Sequence, residues 1–267
     1  MGDPGTAMYR QRADALSTEA GSGPALLCAH GTLMDRTMFQ PQIDGLSDEY
    51  RVAAYNLRAR TERAYEPYDL SALVADCRAV MDGLDMERPV LAGMSMGGFL
   101  ALRLAIEYPE ELSGLVLIDS TSLPHPDEDV ELYRGMIERI RDEDSMPRTM
   151  GESVTHFLFG ETTRTERTEL VQRWVDRWET YPGEAVYHEV NSWLDRDDVT
   201  GQLREIDVPA LVVHGKEDGS IPPIRSEPMR DALDAVETRI PEAGHSSNLE
   251  RPEPVNEAIR RFLQSVY

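Results

Sequence analysis

Short apolar runs alternate with longer amphipathic segments along most of this chain. Runs of a few residues that are rich in β-branched side chains predict buried strands, and strands that alternate with helices predict a mostly parallel sheet covered on both faces. Six such runs occur, at residues 25–29, 51–55, 89–92, 115–118, 210–213 and 236–240. The hydrophobic pattern therefore predicts an α/β fold around a central sheet.

Between the strand candidates, apolar residues recur at intervals of three and four, which is the spacing of a helix with one buried face. One such stripe begins at Leu70 and ends at Leu84, and another runs from Val255 to Leu263 near the C-terminus. A third helix is expected over residues 98–108. We interpret these stripes as helix faces that pack on the sheet.

The alternation stops between residues 122 and 205, where helical stripes continue but strand signals are absent. A long break of this kind, without a flexible linker at either end, is typical of an insertion that packs on an α/β core. We therefore predict a helical cap over residues 122–205, inserted into a core that consists of residues 1–121 and 206–267.

All three tryptophans of the chain, Trp174, Trp178 and Trp193, lie in this insertion. The underside of an apolar lid can line a substrate cavity, so we treat these side chains, together with Leu33, as candidate pocket residues. Ordinary packing of the insertion on the core is the more common reason for any single aromatic residue at such spacing.

The formal net charge of the chain is −22. An acidic surface repels nucleic-acid phosphates and anionic lipids, so we expect neither a nucleic-acid partner nor a membrane partner. No run approaches the roughly 18 uninterrupted apolar residues that a bilayer span requires, and residues 1–12 lack the pattern of an export signal. These features predict a cytoplasmic protein.

The basic residues are unusual, because Lys216 is the only lysine among 27 basic residues. An acidic composition almost without lysine suits a cytoplasm of high salt, where ions screen the repulsion among like charges. A genome that favours arginine codons is the alternative, and it explains the missing lysines but not the excess of acids. We therefore favour the halophilic interpretation.

The chain contains two cysteines, Cys28 and Cys77, and both fall on apolar stretches. We expect them to be buried thiols in a reducing compartment rather than a disulfide or metal ligands. No spacing of cysteine and histidine is typical of a zinc or haem site. The sequence therefore predicts a protein without a metal or another cofactor.

The segment Gly93-Met94-Ser95-Met96-Gly97 follows a strand candidate and opens a helix candidate. In this context the chain turns sharply with the serine at the apex in a strained conformation, and Gly93 and Gly97 remove side chains that would collide. The hydroxyl is then exposed above the carboxyl edge of the sheet, at a helix N-terminus. This pattern predicts that Ser95 is a nucleophile.

A serine hydroxyl needs an adjacent base to become a good nucleophile. Among six histidines, His245 lies in a loop of small residues between the last strand and the last helix, from which its side chain can reach Ser95. The other histidines are expected in other roles: His30 and His214, at strand ends, in structural hydrogen bonds, and His125, His156 and His188, in the insertion, as surface or lid residues.

The acid that orients the base is expected at the end of the penultimate strand, where Asp218 lies in a loop with glycine and prolines. Asp119, which ends an earlier strand, is a competitor, and Glu217 is a third candidate. We favour Asp218 because one helix and one strand lead from its loop directly to His245, so that both side chains emerge at the same edge of the sheet.

Acyl transfer also needs hydrogen-bond donors for the oxyanion that forms on the carbonyl. His30-Gly31-Thr32 directly follows the strand candidate at 25–29, so the backbone N–H of Thr32 is one candidate donor, with Leu33 as the alternative. The backbone N–H of Met96, the residue after the nucleophile, is the second candidate. Each such donor can lower the barrier by about 3–4 kcal/mol.

These residues resemble the α/β-hydrolase superfamily over nearly the whole chain. Within it, the chain is similar to the capped branch that includes aryl esterases, 3-oxoadipate enol-lactonases and perhydrolases. The resemblance rests on His30-Gly31-Thr32, residues 93–98, residues 208–215 with Asp218, and residues 244–250 with Pro252. It implies a triad in the order Ser95, Asp218, His245, which is the order of that fold.

One loop departs from the family pattern. After the strand at 51–55 the family usually carries an acidic residue and then Arg-Gly-x-Gly, whereas Asn56-Leu57-Arg58-Ala59-Arg60 keeps only the arginine. This loop lies beside the oxyanion turn in the family, so we expect the support of that turn to differ in this chain.

The residues and the resemblance together predict a hydrolase of small carboxylic esters or lactones that acts through an acyl-enzyme on Ser95. A carbon–carbon bond hydrolase and a perhydrolase are alternatives on the same triad. A ligand-binding protein of the same fold without activity is the alternative from another class. The complete set of triad and oxyanion candidates counts against that last alternative.

Overall fold

The computed structural model describes residues 4–267, so residues 1–3 of the predicted core lie outside the described part. Across these residues, seven strands form one sheet in the order β1-β3-β2-β4-β5-β6-β7. The strands are β1 (Ser17–Ala20), β2 (Ala25–Ala29), β3 (Arg51–Tyr55), β4 (Val90–Met94), β5 (Gly114–Ile118), β6 (Ala210–Gly215) and β7 (Val236–Ile240). Only the pairing of β1 with β3 is antiparallel.

Thirteen α-helices accompany the sheet within the described residues. They are α1 (Pro4–Leu16), α2 (Gln40–Leu46), α3 (Leu70–Gly83), α4 (Met96–Glu107), α5 (Asp127–Ile140), α6 (Arg148–Leu158), α7 (Glu161–Glu166), α8 (Thr168–Trp178), α9 (Gly183–Leu194), α10 (Thr200–Leu203), α11 (Glu227–Ala232), α12 (Ser247–Glu250) and α13 (Pro252–Val266). The predicted α/β fold with a mostly parallel central sheet is confirmed.

Burial explains which strands the hydrophobic pattern reveals. Every residue of β4, β5 and β6 is buried, because parallel strands in the middle of a sheet are covered on both faces. The predicted bounds of β2, β3 and β7 agree with the structure. The prediction missed β1, whose sequence Ser-Thr-Glu-Ala has no apolar run, since this edge strand pairs with β3 alone and is partly exposed.

The helices of the core follow the predicted stripes. Leu73, Val74, Cys77 and Val80 on α3 are buried, and so are Val255, Ile259 and Leu263 on α13. Cys28 and Cys77 are buried free thiols, and burial raises the pKa of Cys77 to about 12. Both cysteines therefore behave as core residues.

Helices α5 to α10 all lie between β5 and β6, over residues 122–205, and we call this segment the helical insertion. Since β5 and β6 are neighbours in the sheet, the insertion leaves and re-enters the core at adjacent strands. Its function as a cap stays a prediction. No helix in residues 4–267 combines the length and the apolar character needed to cross a bilayer.

Candidate active site

Ser95 connects β4 to α4 in a strained turn, with φ 50° and ψ −113°. Glycines make this turn sterically possible. A Cβ atom at Gly93 would lie 2.2 Å from the carbonyl oxygen of Gly97, and one at Gly97 would lie 2.1 Å from that of Ala29 on β2. The turn is held by the Ser120 hydroxyl, which donates a 3.0 Å hydrogen bond to the Ser95 carbonyl. The strained serine that the sequence predicts is therefore present.

His245 and Asp218 lie together at the carboxyl edge of the sheet. His245 Nδ1 is 2.8 Å from Asp218 Oδ2, and both side chains are buried. The other carboxylate oxygen of Asp218 accepts hydrogen bonds of 2.9 Å from the backbone N–H groups of Ser220 and Ile221. Both oxygens of Asp218 are thus fixed, and its carboxylate is aimed at the imidazole.

The electrostatics of this pair favour an ion-pair state. Burial alone would lower the pKa of His245, but the adjacent Asp218 carboxylate outweighs it, so the pKa is raised above its ordinary value. Burial alone would raise the pKa of Asp218, but His245 and His214 outweigh this effect and hold the pKa below its usual range. This arrangement stabilises an imidazolium, which is the form a catalytic histidine takes when it accepts a proton.

The two competing acids have other partners. Asp119 accepts hydrogen bonds from the backbone N–H of Gly215 at 2.7 Å and of Ser247 at 2.9 Å. It therefore joins the end of β6 to the loop that follows His245. Glu217 binds the backbone and the hydroxyl of Thr162 on α7. Neither carboxylate has a hydrogen bond to His245 within the described chain.

His30 and His214 make the structural hydrogen bonds that the sequence predicts. His30 accepts a 2.9 Å hydrogen bond from the Leu57 N–H at Nε2, and its Nδ1 lies 2.9 Å from the Gly31 carbonyl. Burial, and then the nearby Arg60, lower the pKa of His30 to about 4, so the ring is neutral at neutral pH. His214 Nε2 donates to the Ile221 carbonyl at 2.8 Å.

Asp119, His214 and Asp218 offer ligand atoms within 4.8 Å of one another, the kind of spacing that can hold a metal ion. Burial raises the pKa of Asp119 to about 7. Both Asp119 oxygens accept backbone hydrogen bonds, and Asp218 Oδ2 binds His245 and also lies 3.1 Å from His214 Nε2. A cation here would have to break the contact that orients His245, so these groups fit hydrogen bonding better than metal binding.

The turn after β2 lies against Ser95. A Cβ atom at Gly31 would be 3.2 Å from Ser95 Cβ. The backbone N–H of Leu33, the alternative oxyanion donor, is occupied, because it donates a 3.1 Å hydrogen bond to Glu189 Oε2. The N–H groups of Thr32 and Met96 have no hydrogen-bond partner among residues 4–267. This difference favours Thr32 over Leu33 as the donor opposite Met96.

The loop that departs from the family pattern supports this turn through arginines. Arg58 forms a buried ion pair with Asp76. Arg60 donates a 2.9 Å hydrogen bond from Nε to the Met34 carbonyl and a 2.9 Å hydrogen bond from Nη2 to Glu189. The turn after β2 is therefore held from the core by Arg60, which also contacts the helical insertion.

A cavity of about 90 Å³ opens onto Ser95 and His245 and is lined mainly by apolar side chains of the insertion. Leu33 and Trp193, two of the four predicted pocket residues, line it. Trp174 and Trp178 do not line it; both are buried, and their rings pack on each other with centroids 6.5 Å apart.

His125 is a cavity residue that the sequence analysis placed on the surface or in a lid. It is buried, and its ring packs at 5.3 Å on the rings of both Tyr133 and Trp193. Burial, and then neighbouring arginines, lower the pKa of His125 to about 3. A neutral histidine therefore faces the cavity. Its position at the start of the insertion carries no sequence signal that distinguishes it from a surface histidine.

The fold and the site have close counterparts among known proteins. A family model described as the alpha/beta hydrolase family matches residues 26–258. The structure superposes with a TM-score of 0.87 on a malate-bound thermophilic esterase from Thermogutta terrifontis, which is 31% identical, and the match covers 94% of this chain and 93% of the esterase.

Two enzymes also align in sequence. The chain is 23% identical to 3-oxoadipate enol-lactonase 1 of Acinetobacter baylyi, over 92% of this chain and 90% of the lactonase. It is 30% identical to 2-hydroxy-6-oxo-6-phenylhexa-2,4-dienoate hydrolase of Comamonas testosteroni, over 76% of this chain and 74% of that enzyme. The superfamily and branch that the sequence motifs resemble are thereby confirmed.

Proposed function

The chain belongs to the alpha/beta hydrolase family, and from this premise we propose that it is a serine hydrolase of small carboxylic esters or lactones. The observation that carries the proposal is the apolar cavity that opens onto both Ser95 and His245. Asp218 Oδ2 lies 2.8 Å from Nδ1 of this histidine. An uncharged acyl group fits such a cavity, and the proposed nucleophile and base both line it.

In the proposed reaction, Ser95 Oγ attacks the carbonyl carbon while His245 removes the hydroxyl proton. Asp218 accepts the hydrogen bond from Nδ1 and stabilises the imidazolium. The negatively charged oxygen binds the N–H groups of Thr32 and Met96. When the carbonyl re-forms, the carbon–oxygen bond to the leaving alcohol breaks, and His245 returns the proton to that alcohol. Water then attacks the acyl-enzyme by the same route and releases the acid.

The size of the cavity supports a short acyl group. A cavity of about 90 Å³ is smaller than the ~150 Å³ cavity that accommodates a benzene molecule. Each further methylene that is buried gains about 0.8 kcal/mol only while space remains. We therefore infer that the helical insertion acts as a cap that excludes long chains.

Carbon–carbon bond hydrolysis is a second candidate function. It is favoured by the 30% identity to the Comamonas testosteroni hydrolase, whose name specifies a dienoate with a phenyl ketone as its substrate. The same serine and histidine would serve this reaction, but the bond that breaks would be between two carbons. The small cavity weighs against it, because such a substrate carries an aromatic ring.

A substrate panel separates these functions. We would measure kcat/KM for p-nitrophenyl esters from acetate to palmitate, for small lactones and for the phenyl dienoate, with the Ser95→Ala protein as the control for background hydrolysis. The proposal predicts a maximum among acyl chains of about two to eight carbons. Turnover of the dienoate alone would favour the carbon–carbon hydrolase. Absence of turnover on every compound would contradict both.

A further inference from the structure

Leu33 has an unusual backbone conformation directly after Thr32, the proposed oxyanion donor. Its φ of 63° lies in the left-handed region, which branched and bulky residues rarely adopt. A conformation of this kind persists only where surrounding contacts hold it, and such residues cluster at functional sites. Contacts with the surrounding structure must therefore hold Leu33 in this conformation.

Both polar backbone groups of Leu33 are bound by side chains of the helical insertion. Its N–H donates to Glu189 Oε2 on α9 at 3.1 Å, and its carbonyl accepts a 2.7 Å hydrogen bond from Trp178 Nε1 on α8. Glu189 and Trp178 are both 0% exposed. Each of two helices of the insertion thus holds one backbone group of a single core residue by a hydrogen bond.

The burial of Glu189 is difficult to explain by packing alone. Its Oε2 also accepts from Arg60 Nη2 at 2.9 Å, whereas its Oε1 has no hydrogen-bond partner among the described residues. A buried ion pair often stabilises a protein no better than apolar residues of similar volume. The carboxylate does, however, provide the acceptor that the buried Leu33 N–H requires.

The hydrogen bonds to Leu33 also restrain Thr32. The Leu33 N–H and the Thr32 carbonyl belong to one peptide plane, so binding of that N–H restrains the ψ angle of Thr32. The Thr32 N–H itself shares a plane with the Gly31 carbonyl, which accepts a 3.1 Å hydrogen bond from Met34, and the Met34 carbonyl in turn accepts from Arg60. The N–H of Thr32 remains without a partner in residues 4–267.

We propose that Glu189 and Trp178 are positioning residues that assemble the oxyanion hole only when the helical insertion is closed on the core. This inference rests on the proposed function. Displacement of α8 and α9 would release the Leu33 backbone and let the turn relax from its left-handed conformation. The Thr32 N–H would then move away from the oxyanion position. Substrate enclosure and transition-state stabilisation are coupled in this way.

The test compares two neighbouring tryptophans. Trp178→Phe removes the donor to the Leu33 carbonyl but keeps a ring that can stack on Phe159. Trp174→Phe is the matched control, because Trp174 is also buried in the insertion but has no hydrogen bond to the turn within the described residues. Glu189→Leu removes the acceptor for the Leu33 N–H, and Glu189→Gln is the conservative variant that restores an acceptor oxygen.

Each variant is assayed for kcat and KM on p-nitrophenyl acetate and for inhibition by ethylboronic acid, a short alkyl compound that forms a tetrahedral adduct with an active serine. We expect Trp178→Phe and Glu189→Leu to lower kcat about 10- to 100-fold with little change in KM. The inhibition constant of the boronic acid should rise in parallel. Trp174→Phe should leave both values near wild type, and Glu189→Gln should recover most of the loss.

The outcomes separate this inference from the function on which it rests. Wild-type kcat and boronic-acid affinity in a folded Trp178→Phe protein would overturn the positioning role while leaving the hydrolase function intact. Equal losses in Trp178→Phe and Trp174→Phe would also overturn it, by assigning the effect to packing. If Glu189→Leu does not fold, the tryptophan pair still decides. A wild-type protein that neither hydrolyses the ester nor binds the boronic acid would overturn the proposed function and this inference together.

Discussion

The sheet edge and the helical insertion differ in what they bring to the cavity. Four residues that follow strands at the carboxyl edge of the sheet have positive φ: Leu33 after β2, Ser95 after β4, Asp119 after β5 and Glu242 after β7. The insertion, residues 122–205, contains no residue with positive φ. The core therefore supplies strained backbone and polar groups, whereas the insertion supplies regular helices whose side chains enclose the cavity.

This difference shows how precise geometry is maintained in the proposed site. A strained residue costs about 1–3 kcal/mol and persists only if its surroundings hold it. Ser95 is held by Ser120 and by a 2.9 Å hydrogen bond from its own N–H to Ile118 within the core. Leu33, in contrast, is held by two residues of the insertion. The core alone thus fixes Ser95, the proposed nucleophile, and the turn that carries the proposed oxyanion donor depends on both regions.

The largest effect is expected at the strained turn of the core. Ser95→Ala should lower kcat about a millionfold, because the attacking oxygen is lost, while the fold is retained. Alanine can occupy the same position with a smaller side chain. The measurement is kcat on a p-nitrophenyl ester beside the melting temperature. Turnover within tenfold of wild type would assign the chemistry to another residue.

The two acids of the core provide the next prediction. Asp218→Asn should lower kcat about ten-thousandfold, since an amide beside Nδ1 leaves the histidine in the wrong tautomer. Asp119→Asn should have a much smaller effect, because Asp119 binds backbone N–H groups rather than the histidine. The two variants are matched in chemistry and burial. A larger loss in Asp119→Asn would show that the acid after β5 is the catalytic one.

The pH profile tests the electrostatics of the same pair. His245 acts as a base only when neutral, and Asp218 raises its pKa. The value of kcat/KM should therefore fall tenfold per pH unit on the acid side, below an apparent pKa that lies above about 6.5. In the Asp218→Asn protein, the fall of the residual kcat/KM on the acid side should occur at lower pH, because the carboxylate that raises the pKa of His245 is absent. An acid limb below the ordinary histidine value in the wild type would contradict the pairing.

The smallest effect is expected from the insertion side of the cavity. Ile137→Ala on α5 enlarges the cavity, so the ratio of kcat/KM for hexanoate over acetate should rise about fourfold for each methylene newly accommodated. Val130→Ala, on the same helix but not in the cavity lining, is the control. An unchanged ratio in Ile137→Ala would show that the acyl group binds elsewhere.

The same division explains what the sequence reveals and what it conceals. Ser95 and the bounds of β2 and β3 are predictable because glycine spacing and buried apolar runs are local signals. The contact between Leu33 and Glu189 spans 156 positions, so no local pattern reports it. One local signal does point to Glu189, which lies on an apolar stripe of α9 with Val186 and Val190, where a charged residue needs a buried partner.

The roles of the tryptophans illustrate the same limit. Their helical spacing indicates a buried face but does not tell which residues that face contacts. Trp193 reaches the cavity from α9, whereas Trp178 reaches the backbone of Leu33 and Trp174 packs on Trp178. Such assignments depend on how helices pack in space, and packing angles are not encoded in the period of one helix.

Covalent labelling of the intact protein tests the central claim most directly. A p-nitrophenyl alkylphosphonate with a short alkyl group reacts with a serine that is activated by a base and faces an oxyanion hole. We predict a single phosphonyl adduct per chain, located by peptide mass spectrometry on Ser95 and absent from the Ser95→Ala protein. An adduct on another residue, or no adduct on wild-type protein that is folded by circular dichroism, would contradict the assignment of this chain as a serine hydrolase.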